Sequence, residues 1–168
     1  MKLITLNTHS LVEPDYENKL KLFAEAVLRE RPDVVALQEV NQSMGEPAVG
    51  QERLGALGFV ECRERGNESK VEAGARGAVI PVRADNHAYR LAGLLAEGGA
   101  PYFWTWVPAK IGYGRYDEGT ALFSRLPVAQ TGWIYLTGSR DYKNWKTRKA
   151  LEMILDFHGK RCRFFSLH

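Results

Sequence analysis

Residues 33–40, with the sequence Asp-Val-Val-Ala-Leu-Gln-Glu-Val, constrain the fold more than any other stretch of the chain. Five of the eight residues are apolar, three are β-branched, and they follow Pro32, which ends a preceding helix. Such a short apolar run is typical of a strand buried on both faces of an α/β sheet. Gln38 and Glu39 stand at its carboxyl end, where α/β proteins bind their ligands. A functional carboxylate at Glu39 is one interpretation, and a loop cap or a pair with a surface lysine is the other.

The first strand ends in a second polar group. Residues 2–6 are predicted to form that strand, and residues 16–30 form a helix with one apolar stripe. A strand, a helix and the 33–39 strand make a βαβ unit, whose strands are parallel neighbours. We therefore expect Asn7 and Glu39 to emerge side by side, although Asn7 alone could simply cap the following turn.

The rest of the chain is predicted from periodicity and turn residues. A hairpin is expected around His158-Gly159-Lys160, and Asp85 or Asn86 is the expected N-cap of a helix that ends near Glu97. A shorter helix passes through Leu54 and Leu57. The further predicted strands are 59–62, 102–107, 119–124, 130–137, 150–157 and 161–167, and the predicted loops are 42–51, 66–77 (expected to be mobile) and 111–118.

Composition limits the class of protein. A net charge of +3 from 23 basic and 20 acidic residues permits an anionic substrate without requiring a polymer-binding surface. Cys62 and Cys162 fit neither a disulfide framework nor a metal site, which favours a reducing compartment. The sequence shows no signal peptide and no apolar run of membrane-spanning length, so a cytoplasmic location is expected.

The 168 residues are enough for one domain with a hydrophobic core. The chain stops at His168, directly after an apolar strand rather than in a polar linker, so residues 1–168 are interpreted as a single truncated domain. An aromatic group could stack on nucleobases, but strand alternation favours the core as its place. Its members are Tyr102, Phe103, Trp104 and Trp106.

Three segments together resemble the endonuclease/exonuclease/phosphatase superfamily, which has the DNase I-like fold. They are Leu-Ile-Thr-Leu-Asn at residues 3–7, Val-Val-Ala-Leu-Gln-Glu at 34–39, and Tyr-Asp-Glu-Gly-Thr-Ala-Leu-Phe-Ser-Arg-Leu-Pro at 116–127. The segment 145–168 resembles the family's central hairpin, which ends in an active-site histidine. The resemblance implies an αββα sandwich, of which this chain supplies about the first half as one mixed sheet with flanking helices.

The resemblance also implies a divalent-metal-dependent phosphohydrolase or phosphodiesterase. Glu39 is then the carboxylate ligand of Mg²⁺ or Mn²⁺, and Asn7 helps to define the metal site and contacts the scissile phosphate. Glu118 is expected to pair with and orient His168, which polarises a phosphate oxygen or assists proton transfer. Two further side chains are expected to hold the phosphate, namely Tyr116 and Arg148.

The residue types suit this chemistry without the family. Mg²⁺ accepts one or two carboxylates and keeps its waters, histidine transfers protons near neutral pH, and arginine offers a planar fork for phosphate. Taken singly, Glu118 could be a solvated loop acid and Arg148 an ordinary member of the basic run 146–149. The remaining histidines are interpreted as surface groups: His9, His87 and His158.

The family's Asp-x-Asn and Ser-Asp-His motifs lie further along than this chain reaches, so the chain alone is expected to be inactive. The alternative is a non-catalytic phosphate-binding or assembly module that self-associates through an uncovered sheet face. The substrate could be nucleic acid, phospholipid, inositol phosphate or nucleotide. Because the sequence has no strongly basic stripe, a small phosphoester is favoured over long DNA.

Overall fold

The computed structural model describes residues 1–66 and 80–168, and they form two β-sheets. The first is mixed, with the spatial order β1-β2-β4-β3, and comprises β1 (Leu3–Asn7), β2 (Val34–Ser43), β3 (Phe103–Gly112) and β4 (Tyr116–Ser124). The second is antiparallel and comprises β5 (Val128–Tyr135), β6 (Lys149–Phe157) and β7 (Lys160–Ser166). The α/β class is confirmed. The expected single mixed sheet is instead two sheets, because the chain leaves the first sheet at residues 125–127, where Pro127 has no N–H for a ladder.

Three helices cover one face of the first sheet. They are α1 (Tyr16–Glu30), α2 (Gln51–Ala56) and α3 (His87–Glu97). Their apolar stripes bury Leu20, Leu54 and Leu91 in one core with the residues of β2 that face the helices, which are Val35, Leu37 and Val40. The opposite face of the first sheet packs on the second sheet, where Val34 and Leu122 belong to the same cluster as three fully buried residues of β6. The described layers are therefore helices, sheet and sheet.

The predicted βαβ unit is confirmed. β1 and β2 are parallel, Asn7 is opposite Gln38, and α1 has the predicted bounds. β2, however, continues to Ser43, and its pairing with β4 is interrupted between Leu37 and Val40. Glu39 therefore lies in a bulge within a strand rather than after the end of one.

Two predictions on loops and strands are wrong. The 111–118 loop is only a turn at residues 113–115, because Tyr113 and Gly114 both adopt positive φ and close a tight connection between β3 and β4. Glu118 is consequently a buried strand residue. Residues 59–62 do not form a strand of their own, and Phe59 makes an isolated bridge to Trp104.

Other predictions hold. The Asn86 side chain caps α3 by accepting a hydrogen bond from the Tyr89 N–H at 3.1 Å, and residues 157–160 connect the expected hairpin. The aromatic group is core, since Trp104 and Trp106 are buried and only Phe103 is substantially exposed. Most of the predicted loop 66–77 lies outside the described residues.

Cys62 and Cys162 are free thiols. Within residues 1–66 and 80–168, no helix has the length and apolar character needed to traverse a bilayer.

Candidate functional site

Three side chains meet at the carboxylate of Glu39. Asn7 Nδ2 donates a hydrogen bond to Oε1 at 3.0 Å, and His168 Nε2 lies 3.3 Å from the same oxygen. His9 Nε2 lies 3.4 Å from Oε2. The structure thus brings Asn7 and Glu39 together, as the predicted βαβ unit implies, and adds His9 and His168, the latter of which was expected beside Glu118.

A sharp turn after β1 explains why His9 reaches the site. His9 and Ser10 both have positive φ, at 50° and 38°, and the His9 N–H donates to Asn7 Oδ1 at 3.2 Å. This Asx-type bond folds the chain back over the bulge of β2. His9 is exposed, as its interpretation as a surface group expects, but it is not isolated, because it contacts both Glu13 and Glu39. The available signal was its place two residues after the asparagine that ends the first strand.

The surroundings of Glu39 hold little permanent positive charge. His9 Nδ1 lies 2.9 Å from Glu13 Oε1, so this imidazole bridges two carboxylates. Hydrogen bonds from Lys19 and then His9 hold the pKa of Glu13 below its usual value. Among the described residues, Glu39 has ion-pair contacts only with histidines, and its buried Oε2 accepts no hydrogen bond. The site therefore has an excess of carboxylate that a cation could neutralise.

The donor set fits a hard divalent cation. Glu39 offers a carboxylate and Asn7 an amide oxygen, both of which are ligands that Mg²⁺ or Mn²⁺ accepts together with water. In the described part of the chain, no group of three or more His, Cys, Asp or Glu side chains is arranged around a metal position. An open site with one carboxylate and several waters needs no such group.

Glu118 does not have the expected partner. Its carboxylate lies 2.8 Å from Lys110 Nζ, and the register of β3 and β4 places these two residues opposite each other. Its Oε2 also fills the space above Gly112, where an added Cβ would lie 2.5 Å away. The expected pairing of Glu118 with His168 is therefore wrong, because His168 faces Glu39 instead. A catalytic role for Glu118 stays a prediction.

The two expected phosphate-binding residues have other contacts. Tyr116 is 6% exposed, and the Arg115 guanidinium carbon lies 4.7 Å from the centre of its ring. Arg148 Nη1 donates to the backbone carbonyls of Trp145 at 2.7 Å and Thr147 at 3.1 Å. Phosphate binding by either residue stays a prediction.

A buried network centred on Asp117 fixes two segments beside β2. Its carboxylate accepts hydrogen bonds from Gln42 Nε2 at 3.0 Å and from the Tyr142 hydroxyl at 2.8 Å, and Arg83 Nε lies 3.6 Å away. Burial, followed by the Asp117 charge, raises the pKa of Tyr142. Sequence reasoning missed this network because its members are more than 20 residues apart.

The comparisons with known proteins agree with this architecture. The model of the Endonuclease/Exonuclease/phosphatase family matches residues 4–150. A solved endonuclease/exonuclease/phosphatase family protein from Leptotrichia buccalis C-1013-b is similar at 23% identity with a TM-score of 0.80, covering 100% of this chain and 53% of that chain. An endonuclease/exonuclease/phosphatase from Beutenbergia cavernae DSM 12333 is similar at 19% identity with a TM-score of 0.61, covering 100% and 38%.

No curated protein sequence matches the chain. The structural likenesses confirm the DNase I-like fold. The chain spans about half the length of the Leptotrichia protein and less of the Beutenbergia one.

Proposed function

The chain belongs to the Endonuclease/Exonuclease/phosphatase family, and from that premise we propose that it acts in a divalent-metal-dependent phosphohydrolase that cleaves phosphoester bonds. The observation that carries the proposal is the Glu39 carboxylate. It is largely buried, with 13% of its side chain exposed, and one of its oxygens accepts no hydrogen bond from the described residues. A buried carboxylate left this way is costly unless a cation completes it.

Glu39 and the Asn7 amide oxygen would hold Mg²⁺ or Mn²⁺. When bound, such an ion neutralises charge on the phosphoryl oxygens and lowers the pKa of a bound water. Asn7 Nδ2 donates to Glu39 Oε1 and so fixes the orientation of the carboxylate. The 3.3 Å distance of His168 Nε2 from the same oxygen supports a role in donating to a phosphate oxygen or in carrying a proton. His9 presents a second imidazole, oriented by Glu13.

The proposed substrate is a small phosphodiester or phosphomonoester. The net charge of +3 is modest, and many arginines and lysines of the described surface already contact carboxylates, as do Arg83, Lys110 and Arg125. Long DNA is bound chiefly through many cation–phosphate contacts, so a surface of this kind favours a small ester.

Hydrolysis of bis(p-nitrophenyl) phosphate and p-nitrophenyl phosphate by the product of the complete reading frame, with and without Mg²⁺ or Mn²⁺, tests the proposal, whereas residues 1–168 alone are expected to show no turnover. We expect metal-dependent turnover that falls roughly 100-fold in His168→Ala. The matched control is His158→Ala, which removes an exposed histidine at the β6–β7 turn and should leave the rate unchanged.

Metal-dependent binding of inorganic phosphate without turnover would instead support the phosphate-binding module. The absence of both turnover and metal binding would contradict the proposed function.

A further inference from the structure

The backbone conformation that aims the Glu39 carboxylate is one that glutamate rarely adopts. Glu39 has a φ of 52°, in the left-handed region that disfavours residues with a Cβ. It lies in the bulge where the pairing of β2 and β4 is interrupted. Because side chains alternate between the faces of a strand, an extended Glu39 would shift the register and move its carboxylate away from Asn7 and His168. The left-handed conformation therefore decides where the carboxylate points.

The buried hydroxyl of Ser10 makes hydrogen bonds to the backbone at Glu39 and at Asn41 and so stabilises this conformation. Ser10 Oγ donates to the Glu39 carbonyl at 2.8 Å and accepts a hydrogen bond from the Asn41 N–H at 2.9 Å. Ser10 is only 1% exposed, so water cannot readily replace it. Thr8 Oγ1 adds a longer bond of 3.2 Å to the Glu39 carbonyl and one of 2.9 Å to that of Gln38. Ser10 is thus the main link between the turn after β1 and the bulge.

We propose that Ser10 is a positioning residue whose hydroxyl keeps Glu39 in its left-handed conformation and so aims the carboxylate at the cation. Ser10 acts through Glu39 and has no direct contact with the cation or the substrate. The proposal rests on the proposed function, in which Glu39 is a metal ligand. It also has a consequence for the backbone alone, which can be measured without metal.

The chain offers a matched control for the loss of such a hydroxyl. Ser124 is also fully buried, and its Oγ donates to the Leu126 carbonyl at 2.9 Å and accepts from the Leu126 N–H at 3.0 Å. It lies at the end of β4 that pairs with Val34, away from Glu39. Ser10→Ala and Ser124→Ala therefore remove the same number of bonds at the two ends of the sheet.

A second variant, Ser10→Gly, separates the loss of the hydroxyl from a failure to fold. Because Ser10 itself has a φ of 38°, glycine fits its backbone conformation without strain. Ser10→Gly removes the hydroxyl while relieving an unfavourable conformation, and it is expected to fold even where Ser10→Ala does not.

The experiment measures two quantities on the 168-residue chain and its variants. The first is the set of Glu39 backbone chemical shifts and its HN–Hα coupling by NMR, which report φ. The second is Mn²⁺ affinity by titration calorimetry. We expect both Ser10 variants to move the Glu39 values towards the extended range and to lower Mn²⁺ affinity roughly tenfold. Ser124→Ala should change neither, although it should lower the unfolding temperature about as much as Ser10→Ala.

Unchanged Glu39 shifts and coupling in Ser10→Gly would overturn the proposal whether or not metal binds. If the wild-type chain binds Mn²⁺ and Ser10→Gly binds it with the same affinity, the proposal for Ser10 is also overturned, but the proposed function is not. If the wild-type chain bound no Mn²⁺, the proposed function would fail instead. The Glu39 backbone shifts would then still decide the role of Ser10.

Discussion

Two glutamates with little exposed side chain, Glu152 in the second sheet and Glu39 in the first, have opposite surroundings. Glu152, in the central strand of the second sheet, is 3% exposed and pairs with both Arg65 and Arg163. Glu39, in the bulge of the first sheet, is contacted by an amide and two imidazoles but, among described residues, by no lysine or arginine. Burial alone therefore does not distinguish a structural carboxylate from a functional one. The difference lies in whether the chain supplies the neutralising cation itself.

The backbone shows the same contrast. Glu152 lies in a regular antiparallel ladder, opposite Gly132 on one side and Phe165 on the other. Arg65 crosses the space above Gly132, where a Cβ would lie 2.7 Å from its Nε. Glu39 needs a left-handed conformation and an interrupted ladder to reach its position. The unusual backbone conformation is thus found at the carboxylate that has no lysine or arginine partner among the described residues, as is common at functional sites.

The largest expected effect on stability is that of Glu152→Gln. It leaves two guanidinium groups around a neutral side chain, and we expect the free energy of unfolding to fall by about 3 kcal/mol. Denaturant unfolding measures it, and Mn²⁺ affinity should not change. A stability loss below about 1 kcal/mol would mean that the two arginines are already well solvated and that the comparison is weaker than proposed.

A buried histidine gives the next largest effect, through pH. His87, the first residue of α3, is 4% exposed, so its interpretation as a surface group is wrong. Its Nδ1 lies 3.1 Å from the Tyr16 hydroxyl, and burial, followed by the charge of Arg90, lowers its pKa to about 3 from 6.5. The unfolded chain then binds more protons than the folded one between these values, so stability falls as pH falls below 6.5. Between pH 6.5 and pH 5 this loss is about 2 kcal/mol.

His87→Gln, which cannot titrate, should lack this part of the acid destabilisation. Chemical unfolding of both proteins across that pH range measures the difference. Parallel stability curves would show that His87 contributes nothing, and any acid loss of activity would then have to come from other groups, such as the site histidines.

The smallest expected effect separates the two arginines that share one face of β7. Arg163 pairs with the buried Glu152, and Arg163→Ala should lower the free energy of unfolding by about 1 kcal/mol. Arg161 Nε lies 3.7 Å from Oδ1 of the exposed Asp156, and Arg161→Ala should change the free energy of unfolding by less than about 0.5 kcal/mol. Thermal unfolding of the pair checks this order, and equal losses would contradict a special role for Glu152.

Local pattern was enough to predict the βαβ unit, the hairpin and the meeting of Asn7 with Glu39. These features depend on apolar periodicity and on chain order, which are visible in residues 2–40 for the βαβ unit and in residues 150–167 for the hairpin. The partner of Glu118 was not predictable in this way, because it is set by the register of the β3–β4 pair. Lys110 is opposite Glu118 only because the turn at residues 113–115 is so tight.

The contributions of His9 and Ser10 were missed for a different reason. Both residues have positive φ, and neither is a glycine, so the only sequence signal for the turn that carries them to Glu39 is its place directly after Asn7. Their conformation is stabilised by bonds to residues about 30 positions away. Sequence reasoning therefore found the candidate site residues that lie on strands and missed those that depend on a strained turn.

The most direct test of the central claim is Mn²⁺ titration calorimetry on Glu39→Gln and Glu152→Gln, with unfolding curves for both. Glu39→Gln keeps an acceptor for Asn7 Nδ2, so it should lower Mn²⁺ affinity by roughly 100-fold or more while changing stability by less than about 1 kcal/mol. Glu152→Gln should do the reverse. Unchanged Mn²⁺ affinity in Glu39→Gln, or an equal loss of Mn²⁺ affinity in both variants, would contradict the claim that Glu39 is the carboxylate that binds the divalent cation.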